Sequence, residues 1–381
     1  MLLKNLNKIF NRIIKVGSPF ELEPEKMNAY VKKFREPKDD IERSFFQYKC
    51  QIQQYNLISK FILNAGAIVI ILFYLFKLKN VDYEVTLKNE TAVFYSNGMT
   101  LDVLPKSLKD EYQNIIIAEE SSPEILDDIG RKLIKELFIR HPFSYYFLAK
   151  NLIKIAIYNK IIDDEMCGTI ICSCEYSFTS SVLTYYCNCR GVNHINIMHG
   201  EKLFFIRDAF FHFNVFYIWD EYYEKLFKKL RASIETYKVE LPDSFVFGAN
   251  KNKIEKKVDY KYYLQAENTE VLKKINEILL VLKKQNKTVV VRPHPIYSDY
   301  KKIKSIFKEI QIENVRKVNI EDSILETKNI ISLYSTVLFQ AYINDIDIVV
   351  DDCSDSIAYN ELEALDYIIL DKDHKNLSEL L

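Results

Sequence analysis

The stretch KTVVVRPHP, residues 287–295, is a run of β-branched residues that stops abruptly at a charged turn fixed by two prolines. That is the pattern of a buried parallel strand delivering polar side chains at its carboxyl end. KNIISLYST (328–336) repeats it, ending in Tyr334-Ser335-Thr336 and running into a helical stretch at 336–343. Working outward, YKYYLQ (260–265), a helix at 269–284, a helix near 300–309, DIDIVVDD (345–352), a helix at 355–364 and a strand at 366–370 complete one alternating unit. An earlier series has the same grammar: TAVFYS (91–96), NIIIAE (114–119), GTIICSCE (168–175), HINIMH (194–199) and VFYIW (215–219). Helices are expected between them at 123–137, 142–160 and 178–189, with another at 220–231. Strands alternating with helices of this length predict βαβ units and parallel sheets covered on both faces. The expected fold class is therefore α/β, with two Rossmann-like domains facing a cleft and an N-terminal helical extension. The boundaries fall at 1–85 for the helical extension, 86–245 for the first Rossmann-like domain and 246–381 for the second.

Composition narrows the chemistry. With 48% hydrophobic and 28% charged residues the chain is globular, and 52 basic against 53 acidic residues give no reason to expect nucleic acid. Glycine is scarce: 8 residues, where average usage would give roughly 27. The dinucleotide fingerprint, the phosphate loop and the serine-hydrolase elbow are all excluded by inspection. Any phosphate is held without a glycine-rich loop. Seven cysteines, with Cys172/Cys174 and Cys187/Cys189 separated by single residues, match neither a disulfide framework nor zinc-ligand spacing, so no metal is expected. A reducing, cytoplasmic setting follows.

Two segments bear on membranes. Residues 2–14 place Leu2, Leu3, Leu6, Ile9, Phe10, Ile13 and Ile14 at helical spacing, with Lys4, Lys8, Arg12 and Lys15 on the other face. This is the pattern of a helix lying in an anionic headgroup layer, and equally of a helix packed on its own domain. FILNAGAIVIILFYLF (61–76) carries no charge, but at sixteen residues interrupted by Asn64 it falls short of the roughly 20 needed to span a bilayer. A buried or interfacial helix is expected there.

In parallel sheets, ligands bind beyond the carboxyl ends of strands. Three strand-to-helix turns carry polar clusters: Arg292-Pro293-His294-Pro295, Ser332 with Tyr334, Ser335 and Thr336, and His199-Gly200-Glu201. The Ser/Thr cluster is placed to cap a helix, or to join its free N–H groups in holding a phosphate. Arg292 and His294 would add charge-assisted hydrogen bonds to the same anion. His199 offers a base near neutral pH and Glu201 a carboxylate. Gln265 and Glu267, Glu175 and Ser177, and Asp351 with Asp352 are further strand-end candidates.

The order H-G-E, then R-P-H-P, then SLYST resembles bacterial surface-polysaccharide glycosyltransferases of the GT-B type, and most nearly the sialyltransferase and polysialyltransferase-like enzymes. The resemblance covers about residues 90–370. It implies a CMP-linked donor, no metal, and a nucleotide phosphate held by a His-Pro motif and a hydroxyl motif. His294 with Pro295 matches the first and Ser335 with Thr336 the second. The family's base is an acidic motif. Glu201 stands in its place, but H-G-E replaces paired acids followed by glycine, so the choice between His199 and Glu201 stays open. R-P-H-P and H-G also occur in teichoic-acid polymerases, which use CDP-linked polyols. The expectation is metal-independent glycosyl transfer in capsule or lipopolysaccharide synthesis, from a nucleotide sugar to a glycan or lipid-linked glycan. Its site would be the inner face of the cell membrane, reached through the N-terminus. The alternatives are a CDP-glycerol or CDP-ribitol transferase, or a non-catalytic subunit of an assembly complex.

Overall fold

The computed structural model describes Phe20 and residues 22–82, 85–96, 98–119, 122–248 and 255–381. The amphipathic segment at 2–14 and the lysine-rich stretch at 251–254 lie outside the described residues.

Strands in chain order are β1 (Lys79–Asn80), β2 (Lys88–Tyr95), β3 (Asn114–Ala118), β4 (Ile125–Leu126), β5 (Cys167–Cys172), β6 (Asn193–Ile197), β7 (His212–Ile218) and β8 (Ser233–Val239). They continue with β9 (Val258–Tyr263), β10 (Val289–Arg292), β11 (Gln311–Ile312), β12 (Thr327–Ser332), β13 (Asp347–Val350) and β14 (Lys375–Asn376). Helices are α1 (Pro24–Lys32), α2 (Asp40–Ile52), α3 (Leu57–Lys77), α4 (Lys106–Glu111), α5 (Asp128–Arg140), α6 (Tyr145–Glu165), α7 (Ser180–Cys189) and α8 (Glu221–Lys229). Beyond β9 come α9 (Thr269–Lys284), α10 (Tyr300–Ile306), α11 (Ile320–Leu325), α12 (Thr336–Ile343) and α13 (Ser356–Leu362).

The chain divides into two compact units. The first runs to His199 and resumes over Phe204–Asp243; the second joins Gly200–Leu203 to Ser244–Leu381. Each holds a parallel six-stranded sheet, in the order β3-β2-β5-β6-β7-β8 in the first and β11-β10-β9-β12-β13-β14 in the second. Counted from its own first strand, the second sheet is 3-2-1-4-5-6, the doubly wound order that reverses direction between β9 and β12. The first sheet reverses between β2 and β5. β5 and β10 are buried throughout and β13 in all but its first residue, as strands covered by helices on both faces are. The fold class is α/β and GT-B-like in its pair of Rossmann-type units.

Two local expectations are corrected. Residues 366–370 do not form a strand: Ile368–Asp371 is a 3₁₀ turn, and the last strand is β14. The sequence reading has no strand at Ser233–Val239, yet β8 forms the sheet edge, where Glu235, Thr236 and Val239 face solvent and blur the apolar signal. The N-terminal helices pack on the first unit. Phe45 of α2 packs edge-on to Phe147 of α6 at 5.3 Å, and α3 lies along α6 through Leu63, Ala67, Ile71 and Tyr74, inside the first unit's core.

α3 is also longer than the charge-free run. Asn56 caps it by accepting from the Ser59 amide at 2.8 Å, so the helix extends over 21 residues. By length and composition it meets the requirement for crossing a bilayer. Its outer face leaves Phe61 75%, Val69 68% and Phe76 89% exposed.

Candidate functional sites in the two units

In the second unit the change of strand direction assembles the site. Gln265 follows β9 and Ser335 follows β12, and the Gln265 amide donates to Ser335 Oγ at 3.0 Å across that point. Ser335 has extended backbone and caps α12, its Oγ accepting from the Val337 amide at 3.2 Å. With two bonds accepted, the Ser335 hydroxyl keeps its proton to donate. The Gln265 carbonyl accepts from Ser298 Oγ at 2.8 Å, and that oxygen accepts from the His294 amide at 2.8 Å. A continuous chain of bonds therefore ties the R-P-H-P turn to the start of α12.

The same turn fixes the His294 tautomer. Its Nδ1 accepts from the amides of Ile296 at 3.1 Å and Tyr297 at 3.2 Å, so in the neutral ring the proton sits on Nε2. Burial lowers its pKa below the ordinary histidine value, and Tyr297 stacks on the ring at 4.5 Å. His294 and Ser335 are thus both prepared as donors. Beside them is a pocket of ≈ 150 Å³ lined by Gln265, Glu267, Leu272, Tyr297, Ser298 and Ile303. Burial pushes the Glu267 carboxyl up to about 7, although it accepts from the Gln265 amide at 2.7 Å.

Other expected donor-site residues are placed differently. The Arg292 guanidinium pairs with Glu313 and donates to the Val318 carbonyl at 3.1 Å. Glu313 also binds Lys261, which reaches the half-buried Glu326 at 2.6 Å, so two buried cations share one buried carboxylate and one partly exposed one. Ser332 is buried and donates to the Tyr263 carbonyl at 2.9 Å, and Pro295 is exposed in the turn. Thr336 and Tyr334 hold the backbone of Glu201: Thr336 Oγ1 accepts from its amide at 3.0 Å and Tyr334 donates to its carbonyl at 3.0 Å. Gly200, at φ +68°, supplies the left-handed turn that admits this approach. Glu201 itself is 8% exposed.

His199 belongs to the first unit. Its Nδ1 meets Ser173 Oγ, with Glu175 Oε1 behind at 3.8 Å; the ring is 40% exposed and Glu175 fully buried. A carboxylate behind an accessible imidazole is the arrangement that orients a general base. Glu175 also accepts from Asn196 at 3.0 Å. The loop carrying Ser173 and Glu175 is fastened by α2: Gln47 donates to the Glu175 carbonyl at 2.8 Å and Gln51 to the Tyr176 carbonyl. Among the described residues no three His, Cys, Asp or Glu side chains converge as a metal-ligand group.

A doubly wound α/β protein with a hydroxyl-and-imidazole donor set at one switch point and a carboxylate-backed histidine in its other unit is the class defined here. No family model matches the sequence, and no curated protein is detectably similar to it. Among solved structures, the wall teichoic acid polymerase TagF is similar at 13% identity and a TM-score of 0.40, covering 78% of this chain and 79% of that one. The UDP-GlcNAc 2-epimerase from Neisseria meningitidis has 9% identity and a TM-score of 0.42, covering 71% and 85%. The UDP-N-acetylglucosamine 2-epimerase from Rickettsia bellii has 12% and 0.43, covering 68% and 78%.

Proposed function

We propose that this protein is a metal-independent glycosyltransferase that takes a nucleotide-activated sugar, in the first instance a CMP-linked acidic sugar, and transfers it to a glycan hydroxyl. The observation that carries this reading is the pair of prepared donors at the β9/β12 switch point: His294 through Nε2–H and Ser335 through its hydroxyl. Both suit the phosphate of a leaving nucleotide, whose charge grows as its bond to the anomeric carbon breaks. The N-terminus of α12 adds its dipole to the same task. Arg292 has no part in it, since its charge is neutralised by Glu313.

His199 is the base we assign. With Nδ1–H donated to Ser173 and the Glu175 carboxylate behind it, Nε2 takes the proton of the acceptor hydroxyl. The acceptor oxygen forms its bond to the anomeric carbon, and the bond from that carbon to the phosphate oxygen breaks. The nucleotide leaves with the electron pair. Glu201 is buried and positions the chain through its backbone. Incubating the protein with CMP-sialic acid, CDP-glycerol, and UDP- and GDP-sugars in EDTA tests the reading. Transfer from a CMP-linked sugar is expected. CDP-glycerol turnover alone would make it a polyol-phosphate transferase, and a strict Mg²⁺ requirement would contradict it.

We further infer that the protein works at the cytoplasmic surface of the membrane, where lipid-linked acceptors are concentrated. The support is the outer face of α3, apolar along its length, with Lys60 and Lys77 and no acid in the helix and Lys79 just beyond its end. Apolar burial and roughly 1 kcal/mol per lysine near an anionic leaflet act together there.

A further inference from the structure

The first unit has its own change of strand direction, between β2 and β5. β2 ends at Tyr95, and β5 is followed by the loop that carries Ser173, Cys174 and Phe178. Two lysines from the first half of α6, one turn apart, are held at this place. Lys154 donates to the Tyr95 hydroxyl at 2.9 Å and lies 4.7 Å from the centre of that ring. Lys150 lies 4.4 Å from the centre of the Phe178 ring. Neither forms an ion pair with a carboxylate within 4.0 Å among the described residues; both rest on aromatic faces instead.

Such a pair is costly in a protein alone. Like charges at i and i+4 repel, and partial burial raises the cost of each. The strain registers on Lys150, whose pKa burial pulls down to about 8, with the Lys154 charge acting in the same sense. One dianion bound between the two ammonium groups would neutralise both, and a switch point is where a parallel sheet receives ligands.

We propose that the β2/β5 crevice is a subsite for a phosphate dianion carried by the acceptor, held by Lys150 and Lys154. The identity of the phosphate-bearing molecule rests on the transfer proposed above; the anion site does not. It assigns the acceptor to a chemical class, a phosphorylated or diphosphate-linked glycan, and separates it from the nucleotide phosphate, which His294 and Ser335 hold in the other unit.

The test uses the full chain and acetic anhydride at substoichiometric dose, with acetylation of each lysine read by mass spectrometry. Inorganic pyrophosphate is expected to slow acetylation of Lys150 and Lys154 severalfold while glucuronate, offering only a carboxylate, does not. The same protection is expected in a His294→Ala/Ser335→Ala variant. Equal acetylation with and without pyrophosphate overturns the proposal, as does protection that disappears in that variant, which would place the anion in the second unit. Protection by glucuronate alone overturns the phosphate assignment. In Lys150→Met the melting temperature is expected to rise, and KM for a phosphate-bearing acceptor to rise with kcat little changed. A fallen kcat at unchanged KM would contradict a binding role. Because the labelling needs no donor, it stands or falls separately from the transferase reading.

Discussion

At the scale of single residues, His199 and Glu201 are separated by what surrounds them. His199→Ala should lose turnover on the order of a hundredfold with nucleotide affinity unchanged, since a base acts in the transition state and not in donor binding. Glu201→Gln should retain most activity, because the backbone of Glu201 makes the bonds to Thr336 and Tyr334. Steady-state kinetics on the two variants decides between them; full activity in His199→Ala removes the base we assign. Glu313 invites a stability test. Hydrogen bonds and charges from Lys261 and Arg292 hold its carboxyl below the usual range, against its burial. Glu313→Gln leaves two buried cations undercompensated and should cost about 3–5 kcal/mol in urea unfolding. A folded pKa depressed in this way contributes stability above the unfolded value, near 4.3, that is lost as pH falls further. Lys150 works in the opposite sense. Its folded pKa of about 8 lies below the unfolded value, so the unfolded chain binds more protons and stability rises with pH between about 8 and 10.4. The advantage of Lys150→Met in melting temperature should therefore be largest near pH 7 and shrink towards pH 10.

At the scale of elements, α2 is the member that sequence reading does not connect to function. Its Ser44, Gln47 and Gln51 are polar positions on a charged helix, and nothing local shows that they bind the carbonyls of Phe178, Glu175 and Tyr176. Gln47→Ala should loosen the Ser173–Glu175 loop, lowering kcat several-fold while donor binding holds; a change in donor affinity instead would disconnect α2 from His199. The alternation of strand and helix was legible because parallel strands are apolar on both faces, and α12 begins at Thr336 as its Ser-Thr start implies. The turns around His294 and Ser335 were legible for the same reason: they end buried runs. What periodicity does not encode is pairing at long range. The partner of Arg292 is Glu313, 21 residues on and in the next strand connection, so an arginine beside a histidine reads as part of a phosphate site. The carboxylate behind His199 comes from the neighbouring strand end, where Glu175 is one weak candidate among several.

At the scale of the whole molecule, the proposed reading gives nucleotide chemistry to the second unit and proton removal to the first, and gives α3 a part in where the protein works. Replacing Phe61, Phe73 and Phe76 with serine leaves the packed face of Leu63, Ala67, Ile71 and Tyr74 intact. Sedimentation with anionic liposomes should fall sharply in that variant at low salt, while transfer to a soluble acceptor persists; unchanged sedimentation assigns the exposed face another role. The central claim is that the β9/β12 switch point holds a nucleotide phosphate, and titration calorimetry with CMP tests it most directly. Wild-type protein should bind CMP in EDTA, and His294→Ala and Ser335→Ala should each weaken binding by about 1.5–3 kcal/mol without loss of fold, the worth of a hydrogen bond to a charged group. Absence of CMP binding in the wild type, or unchanged affinity in both variants, would contradict it.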